Sequence, residues 1–335
     1  MAELLLRDGP KETQATTCAQ GGRQSRCRCT GSQDWVWFDI GAVGIALLLL
    51  LALGISTETP IFESIRHSRL TFVAVLLVGL MFLIVRVAGQ QLRIVEFVRD
   101  WGPIIALFAV YENLKHLHAN RITEWLYIAP KDQLMASIDK LLFGAVLPLR
   151  LESISPPWLL KIMWVFYFWV YYLGPTVLLV WAYFHLKDRR LFGKLRHALV
   201  IGLLGGYVFY LLVPVAGPLF TYGDQFSTPI STHPVIGNLV FNHRYNWDCF
   251  PSLHTAIPWL LCFLTWASFA RIGRTLCLLA ALGVTCSTVF LRFHYGIDVI
   301  AGLGWAALVF WITCEQEKER TQRLAIADTN KYGSI

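Results

Sequence analysis

Two short stretches combine ionisable side chains with the edges of apolar segments. The first reads Asp248-Cys249-Phe250-Pro251-Ser252-Leu253-His254-Thr255, and the second Arg292-Phe293-His294-Tyr295-Gly296-Ile297-Asp298. His294 and Asp298 are four residues apart, so they share a face of any helix that begins by His294. A carboxylate there can hold one ring nitrogen protonated and leave the other free to attack. His254 is then a separate imidazole that can give a proton to a leaving oxygen. A nucleophile, an orienting acid and a general acid make a complete apparatus for displacement at phosphorus. Ser252 can add a hydroxyl and a backbone N–H, while Arg292, His243 and Arg244 can add positive charge. Both stretches open helical segments, and helix N-termini are ready anion sites. Bland readings stand beside this one. A lone histidine at a bundle edge is commonly a hydrogen-bonded structural residue, and His254, His294 and Asp298 could also form a two-histidine, one-carboxylate metal site.

The elements that must position these residues are apolar helices. The chain has 335 residues, 56% of them hydrophobic and 15% charged, with a mean hydropathy of +0.52. Soluble domains carry about a quarter charged residues. Apolar runs long enough to cross a bilayer recur. Eight segments are expected near 36–56, 70–88, 101–117, 158–182, 196–214, 255–270, 274–291 and 298–314. The predicted class is all-α, a polytopic transmembrane bundle of about eight spans. Lys187, Arg189, Arg190, Lys194 and Arg196 cluster in one short connection, and RIGR at 271–274 forms another basic turn. Basic connections favour the cytoplasmic side. The long loops 118–157 and 215–254 then face outward, and His254 and His294 converge at the outer boundary of the membrane. The expected location is an integral, multi-pass protein with its site on the extracytoplasmic or luminal face and a cytoplasmic C-terminus.

The remaining segments divide the chain further. Residues 1–34 read as a disordered cytoplasmic tail without the apolar core of a signal peptide. Residues 35–100 read as accessory helices, 101–315 as the catalytic transmembrane domain, and 316–335 as a second cytoplasmic tail. Cys18, Cys27 and Cys29 fit no standard zinc spacing, and Cys262, Cys277, Cys286 and Cys314 fall in apolar stretches where a small polarizable residue packs well. The amphipathic stretch within 118–157 suits either an interfacial helix or a cap on the bundle. A net charge of +7 fits cytoplasmic loops and lipid head groups, and no nucleic-acid-binding module is present.

At the two stretches the chain resembles the type 2 phosphatidic acid phosphatase superfamily, whose motifs are PSGH and SR-x5-H-x3-D. FPSLHT and Ser287…His294…Asp298 correspond in order and spacing. The resemblance implies a six-helix phosphatase/phosphotransferase-like core, with no metal or other cofactor. It implies His294 as the nucleophile of a phosphohistidine intermediate, Asp298 as its partner and His254 as acid–base. Ser252 would lie in the phosphate pocket, with Ser287, Arg292 and Arg244 as further phosphate-binding candidates. Leu253 stands where the motif has Gly, Thr288 where it has Arg, and Pro214–Pro218 lacks the Lys of an upstream K-x6-RP. FPSLH with HY-x2-D looks more like the inositol phosphorylceramide synthase branch and its bacterial relatives. That branch implies transfer of a phospho-head group, inositol phosphate first, from a phospholipid to a lipid hydroxyl. The missing cations favour transfer too, because a phosphodiester carries less charge than a terminal phosphate. A lipid phosphate phosphatase is the nearest alternative, followed by a metal-dependent membrane hydrolase or a non-enzymatic lipid transporter. The expected partners are a phospholipid or lipid phosphate substrate, a lipid acceptor and the membrane.

Overall fold

The computed structural model describes residues 33–55, 79, 93–114, 128–228, 230 and 245–332. Among them the regular structure is helical, apart from isolated bridge residues that include the parallel pair Val215 and Asp248. Helices α1 (Gln33–Ile55) and α2 (Arg93–Leu114) precede two short ones, α3 (Asp132–Phe143) and α4 (Leu147–Leu151). Then follow α5 (Pro157–His185) and α6 (Arg189–Leu212), and finally α7 (Leu253–Thr265), α8 (Arg271–Phe290) and α9 (Gly296–Tyr332). Seven of the eight expected apolar segments fall on α1, α2 and α5 to α9. The segment near 70–88, apart from Gly79, lies outside the described residues, as do Cys18, Cys27 and Cys29.

Helices α5, α6, α8 and the Gly296–Arg323 part of α9 are long and apolar enough to cross a membrane. Trp169, Leu173 and Val177 on α5, Leu276 and Leu279 on α8, and Leu308 and Trp311 on α9 are exposed. Water would make such a surface an aggregation hazard, whereas hydrocarbon accepts it. The protein is thus an all-α membrane bundle. Its core lies where α7 packs between α6, α8 and α9, around Leu199, Leu253, Ile257, Leu260, Ala306 and Val309.

Local chemistry sets the helix ends that matter. Asp188 caps α6 by accepting from the N–H groups of Arg190 and Leu191 at 3.0 and 2.9 Å. Ser252 caps α7 through Thr255 N–H at 3.2 Å. Gly144, at φ 77°, closes α3 in the left-handed conformation that glycine adopts without penalty. Helix α5 holds a π-helical stretch, Val165–Val170, a geometry often found beside functional sites.

The described part of the amphipathic loop, residues 128–157, forms a docked cap. Asp132, near-buried, accepts from the N–H groups of Ala216 and Gly217 and from the hydroxyls of Thr221 and Tyr295, at 2.9–3.1 Å. Asp139 accepts from Leu147, Gly296 and Ile297 N–H at 2.9–3.0 Å. Leu134, Leu141 and Leu142 face outward from the same short helix. At the other end of the bundle α1 and α2 are tied to α6. The fully buried Arg196 Nε donates to Asp39 at 2.7 Å and Nη1 reaches the Asp100 carbonyl at 3.4 Å. His197 lies 2.6 Å from Asp39 and 2.8 Å from Gln316, stacked on Trp35.

Candidate active site

The last turn of α8 delivers His294. The Thr288 carbonyl accepts from both Phe293 and His294 N–H, at 3.0 and 3.2 Å. Arg292, immediately before these two donors, sits at φ 65°, a left-handed conformation that costs a non-glycine residue about 1–3 kcal/mol. Helix α9 begins two residues after His294. Asp298, in its first turn, receives the Tyr295 N–H on Oδ2 at 2.8 Å. His294 Nδ1 faces that same Oδ2 at 3.6 Å, so the i, i+4 pair expected from the spacing is formed, slightly too long for a closed hydrogen bond. Longer separations are common before substrate binds.

The loop before α7 supplies the rest. Ser252 N–H donates to the Asp298 carbonyl at 3.0 Å, locking the start of α7 against the first turn of α9. Gly302 makes this approach possible, since a Cβ there would lie 2.5 Å from the Ser252 carbonyl oxygen. His254 comes within 5.9 Å of His294, centroid to centroid. Its ring is sandwiched by Tyr167 at 4.3 Å, from the π-helical stretch of α5, and by Tyr171 at 4.0 Å. The two histidines and Asp298 therefore converge, as the hairpin topology predicted.

Cys249 was not anticipated as part of the site. Its Sγ lies 3.0 Å from Asp298 Oδ2, 3.3 Å from His294 Nδ1 and 3.0 Å from the Phe293 carbonyl. Asp298 Oδ1 is buried without a hydrogen-bond partner among the described residues. The ligand-type cluster of the site is thus Cys249, His294 and Asp298, with His254 held apart among tyrosines.

The phosphate-binding candidates divide. Ser252 is fully buried, its hydroxyl accepting from Thr255 N–H and from Thr255 Oγ1. The Ser287 hydroxyl donates to the Val284 carbonyl of its own helix at 2.6 Å. The Arg292 guanidinium is bound to the Thr228 carbonyl and hydroxyl, at 2.6 and 2.9 Å, and to Glu152 Oε1 at 3.2 Å. Burial pushes the Glu152 carboxyl up, but the Thr228 hydroxyl and N–H and the Arg292 charge together hold it below its usual range. Arg244 and His243 lie outside the described residues. The N–H groups expected to hold an anion at the start of α9 already have acceptors, since Gly296 and Ile297 donate to Asp139 and Tyr295 donates to Asp298. Those donors position the helix; they are not vacant for substrate.

The sequence model of the PAP2 superfamily matches residues 133–312, more than half of the chain. The chain belongs to the PAP2 superfamily. No curated protein and no solved structure matches it. Membership makes lipid phosphates the implied substrate class and phosphatase or phosphotransferase chemistry the implied reaction. Within this PAP2 protein, two kinds of residue escaped a reading of motifs. Cys249 was visible inside the first stretch but was given no role there. Asp132, Asp139, Glu152 and Tyr167 meet the site through partners more than sixty residues away, although Asp139 also holds the nearby Leu147 N–H, so no local pattern marks their role.

Proposed function

We propose that this PAP2 superfamily protein is a membrane lipid phosphotransferase that works through a phosphohistidine at His294. The observation that carries the reading is the approach of His254 to within 5.9 Å of His294, whose Nδ1 side is turned to Asp298. With Nδ1 bearing the proton and facing the carboxylate, Nε2 is the nitrogen that attacks phosphorus. The phosphorus–oxygen bond to the departing lipid alcohol breaks, and His254 gives that oxygen its proton. An acceptor hydroxyl then attacks the phosphohistidine, returns a proton to His254 and releases His294. Neither step needs a metal ion. Tyr167 and Tyr171 hold the His254 ring in plane, which keeps its nitrogens aimed while the proton moves.

Transfer is favoured over hydrolysis by the state of Arg292. Its guanidinium is already paired with Glu152 and so offers less to a dianionic phosphomonoester than a free one would. A phosphodiester needs less compensation, which supports a phospholipid donor, inositol phosphate as the head group and a lipid hydroxyl as acceptor. The site belongs on the extracytoplasmic or luminal face. Helix α6 places the basic turn Lys187–Arg190 at one end and the Val213–Gly217 segment that meets Cys249 at the other, about 36 Å apart for its 24 residues. The positive-inside rule assigns the basic end, and the C-terminal part of α9 beside it, to the cytoplasm.

The test supplies purified protein in nanodiscs with phosphatidylinositol and ceramide or diacylglycerol, comparing wild type, His294→Ala and a chelator-treated sample. A new phosphodiester lipid that survives chelation and falls by several orders of magnitude in His294→Ala is expected. Release of free phosphate with the same pattern would make the protein a phosphatase. Activity indifferent to His294, or abolished by the chelator, would sink the histidine mechanism.

A further inference from the structure

Cys249 Sγ, His294 Nδ1 and Asp298 Oδ2 form a triangle with edges of 3.3, 3.0 and 3.6 Å. A tetrahedral zinc ion, with Zn–S near 2.3 Å and Zn–N and Zn–O near 2.0–2.1 Å, spaces its ligands by about 3.3–3.6 Å. The two His294 edges lie within that range, and the shorter 3.0 Å Cys249–Asp298 edge, a thiol–carboxylate hydrogen bond, opens as the thiol proton leaves. All three side chains are buried; Asp298 lies in the first turn of α9, and Cys249 and His294 lie in the short segments that lead into α7 and α9. Asp298 Oδ1 lacks a hydrogen-bond partner among the described residues, so the carboxylate keeps an open acceptor for an ion beside Oδ2, which already receives the Tyr295 N–H.

We propose that Cys249, His294 and Asp298 form a site for a soft divalent cation, zinc fitting it best, and that occupancy switches the enzyme off. The thiol selects zinc over magnesium or calcium, which prefer all-oxygen shells. On binding, the Cys249 thiol loses its proton to solvent and a zinc–sulfur bond forms. The Asp298 carboxylate and the Cys249 thiolate together cancel the charge of the ion, which makes burial tolerable. His294 binds through Nδ1 as a neutral imidazole, so its proton moves to Nε2. That proton caps the nitrogen that would attack phosphorus, and the metal takes the carboxylate oxygen that orients the ring. The inhibitory consequence rests on the phosphohistidine reading, whereas the binding site does not.

Cobalt(II) is the probe, because tetrahedral cobalt bound to thiolate absorbs in the near-ultraviolet and visible. Detergent-purified protein is titrated with cobalt, then with zinc, and proton release is followed in weak buffer. One equivalent of cobalt should bind with a thiolate band and release of one proton, and one equivalent of zinc should then displace it with no further proton release. Cys249→Ser should lose the band, and His294→Ala should weaken binding by more than about 100-fold. A monodisperse elution profile shows that each variant has folded, and Asp298→Asn gives a third route should either fail. Absence of the band in wild type, or a band that persists in both Cys249→Ser and His294→Ala, overturns the site. Zinc that binds at this site yet leaves turnover untouched would uphold the site and refute His294 as the nucleophile.

Discussion

Asp139 should prove as necessary to the site as a residue within it. Its carboxylate is fully buried and accepts three N–H groups: Leu147 and Gly296 on Oδ2, both at 3.0 Å, and Ile297 on Oδ1 at 2.9 Å. Two of those donors, Gly296 and Ile297, are the first residues of α9, two and three positions after His294. Each hydrogen bond to a charged acceptor contributes about 1.5–3 kcal/mol. The three are not additive, because water can enter the space that alanine leaves. Asp139→Ala should therefore cost about 3–5 kcal/mol, within the range for breaking a buried network. At about 2–4 °C per kcal/mol, the apparent unfolding midpoint in detergent should fall by about 10 °C. Turnover should drop by about 10- to 100-fold, because a shift of about 1 Å at a reacting group costs that much. The Michaelis constant should change little. Asp139→Asn keeps one carbonyl oxygen but turns an amide toward an N–H, so it should fall between wild type and Ala in both measurements. Thermal melts and initial rates on the phospholipid substrate read both effects. A variant with alanine at 139 that melts with the wild type and turns over at its rate would refute the claim that this carboxylate sets the position of α9.

Three further outcomes follow from the geometry. In Gly302→Ala the new methyl meets the Ser252 carbonyl at 2.5 Å and Thr255 Cβ at 3.2 Å. Helices α7 and α9 must then part, lowering stability by about 1–3 kcal/mol and turnover with it; wild-type rates would show that the close approach is dispensable. Asp298→Asn should reduce turnover by up to about 10⁴-fold while substrate still binds, as for other oriented imidazoles, and near-normal turnover would remove the carboxylate from the mechanism. Glu152 has a folded pKa below its unfolded value, so its contribution is complete above the ordinary carboxylate range and fades as pH falls through the lower folded value. The stability gap between wild type and Glu152→Gln, followed by melts from about pH 7 to pH 3, should close on the acid side; a gap independent of pH would contradict the Arg292–Glu152 pairing.

Apolar segments and the spacing of two motifs carried the fold class and the central pair. The four-residue spacing placed His294 and Asp298 on one face if the helix began by His294; α9 begins at Gly296 instead, yet the segment leading into it still brings the two to 3.6 Å. The hairpin between α7 and α8 likewise brought His254 to His294. Everything that buttresses them was hidden, because it depends on long-range contacts. Asp139 meets Ile297 across 158 positions, and Glu152 meets Arg292 across 140. The phosphate pocket inferred from helix ends overlooked competition, since side chains of this chain occupy the N–H groups at the start of α9. Cys249 was hidden in another way. Its place beside Asp248 in the first stretch gave no hint that its sulfur would lie against both His294 and Asp298.

The buried Arg196 has a practical meaning for anyone seeking a minimal fragment. Its carboxylate partner Asp39 belongs to α1, and Asp100, whose carbonyl it also meets, belongs to α2. The segment shared with the superfamily begins only at residue 133. A chain trimmed to that segment would leave a guanidinium inside the bundle without either partner, at a cost of about 3–5 kcal/mol. Typical domains have only about 5–15 kcal/mol to lose. What recurs among relatives and what can stand alone are therefore different lengths of this polypeptide, and expression trials should keep α1 and α2 attached.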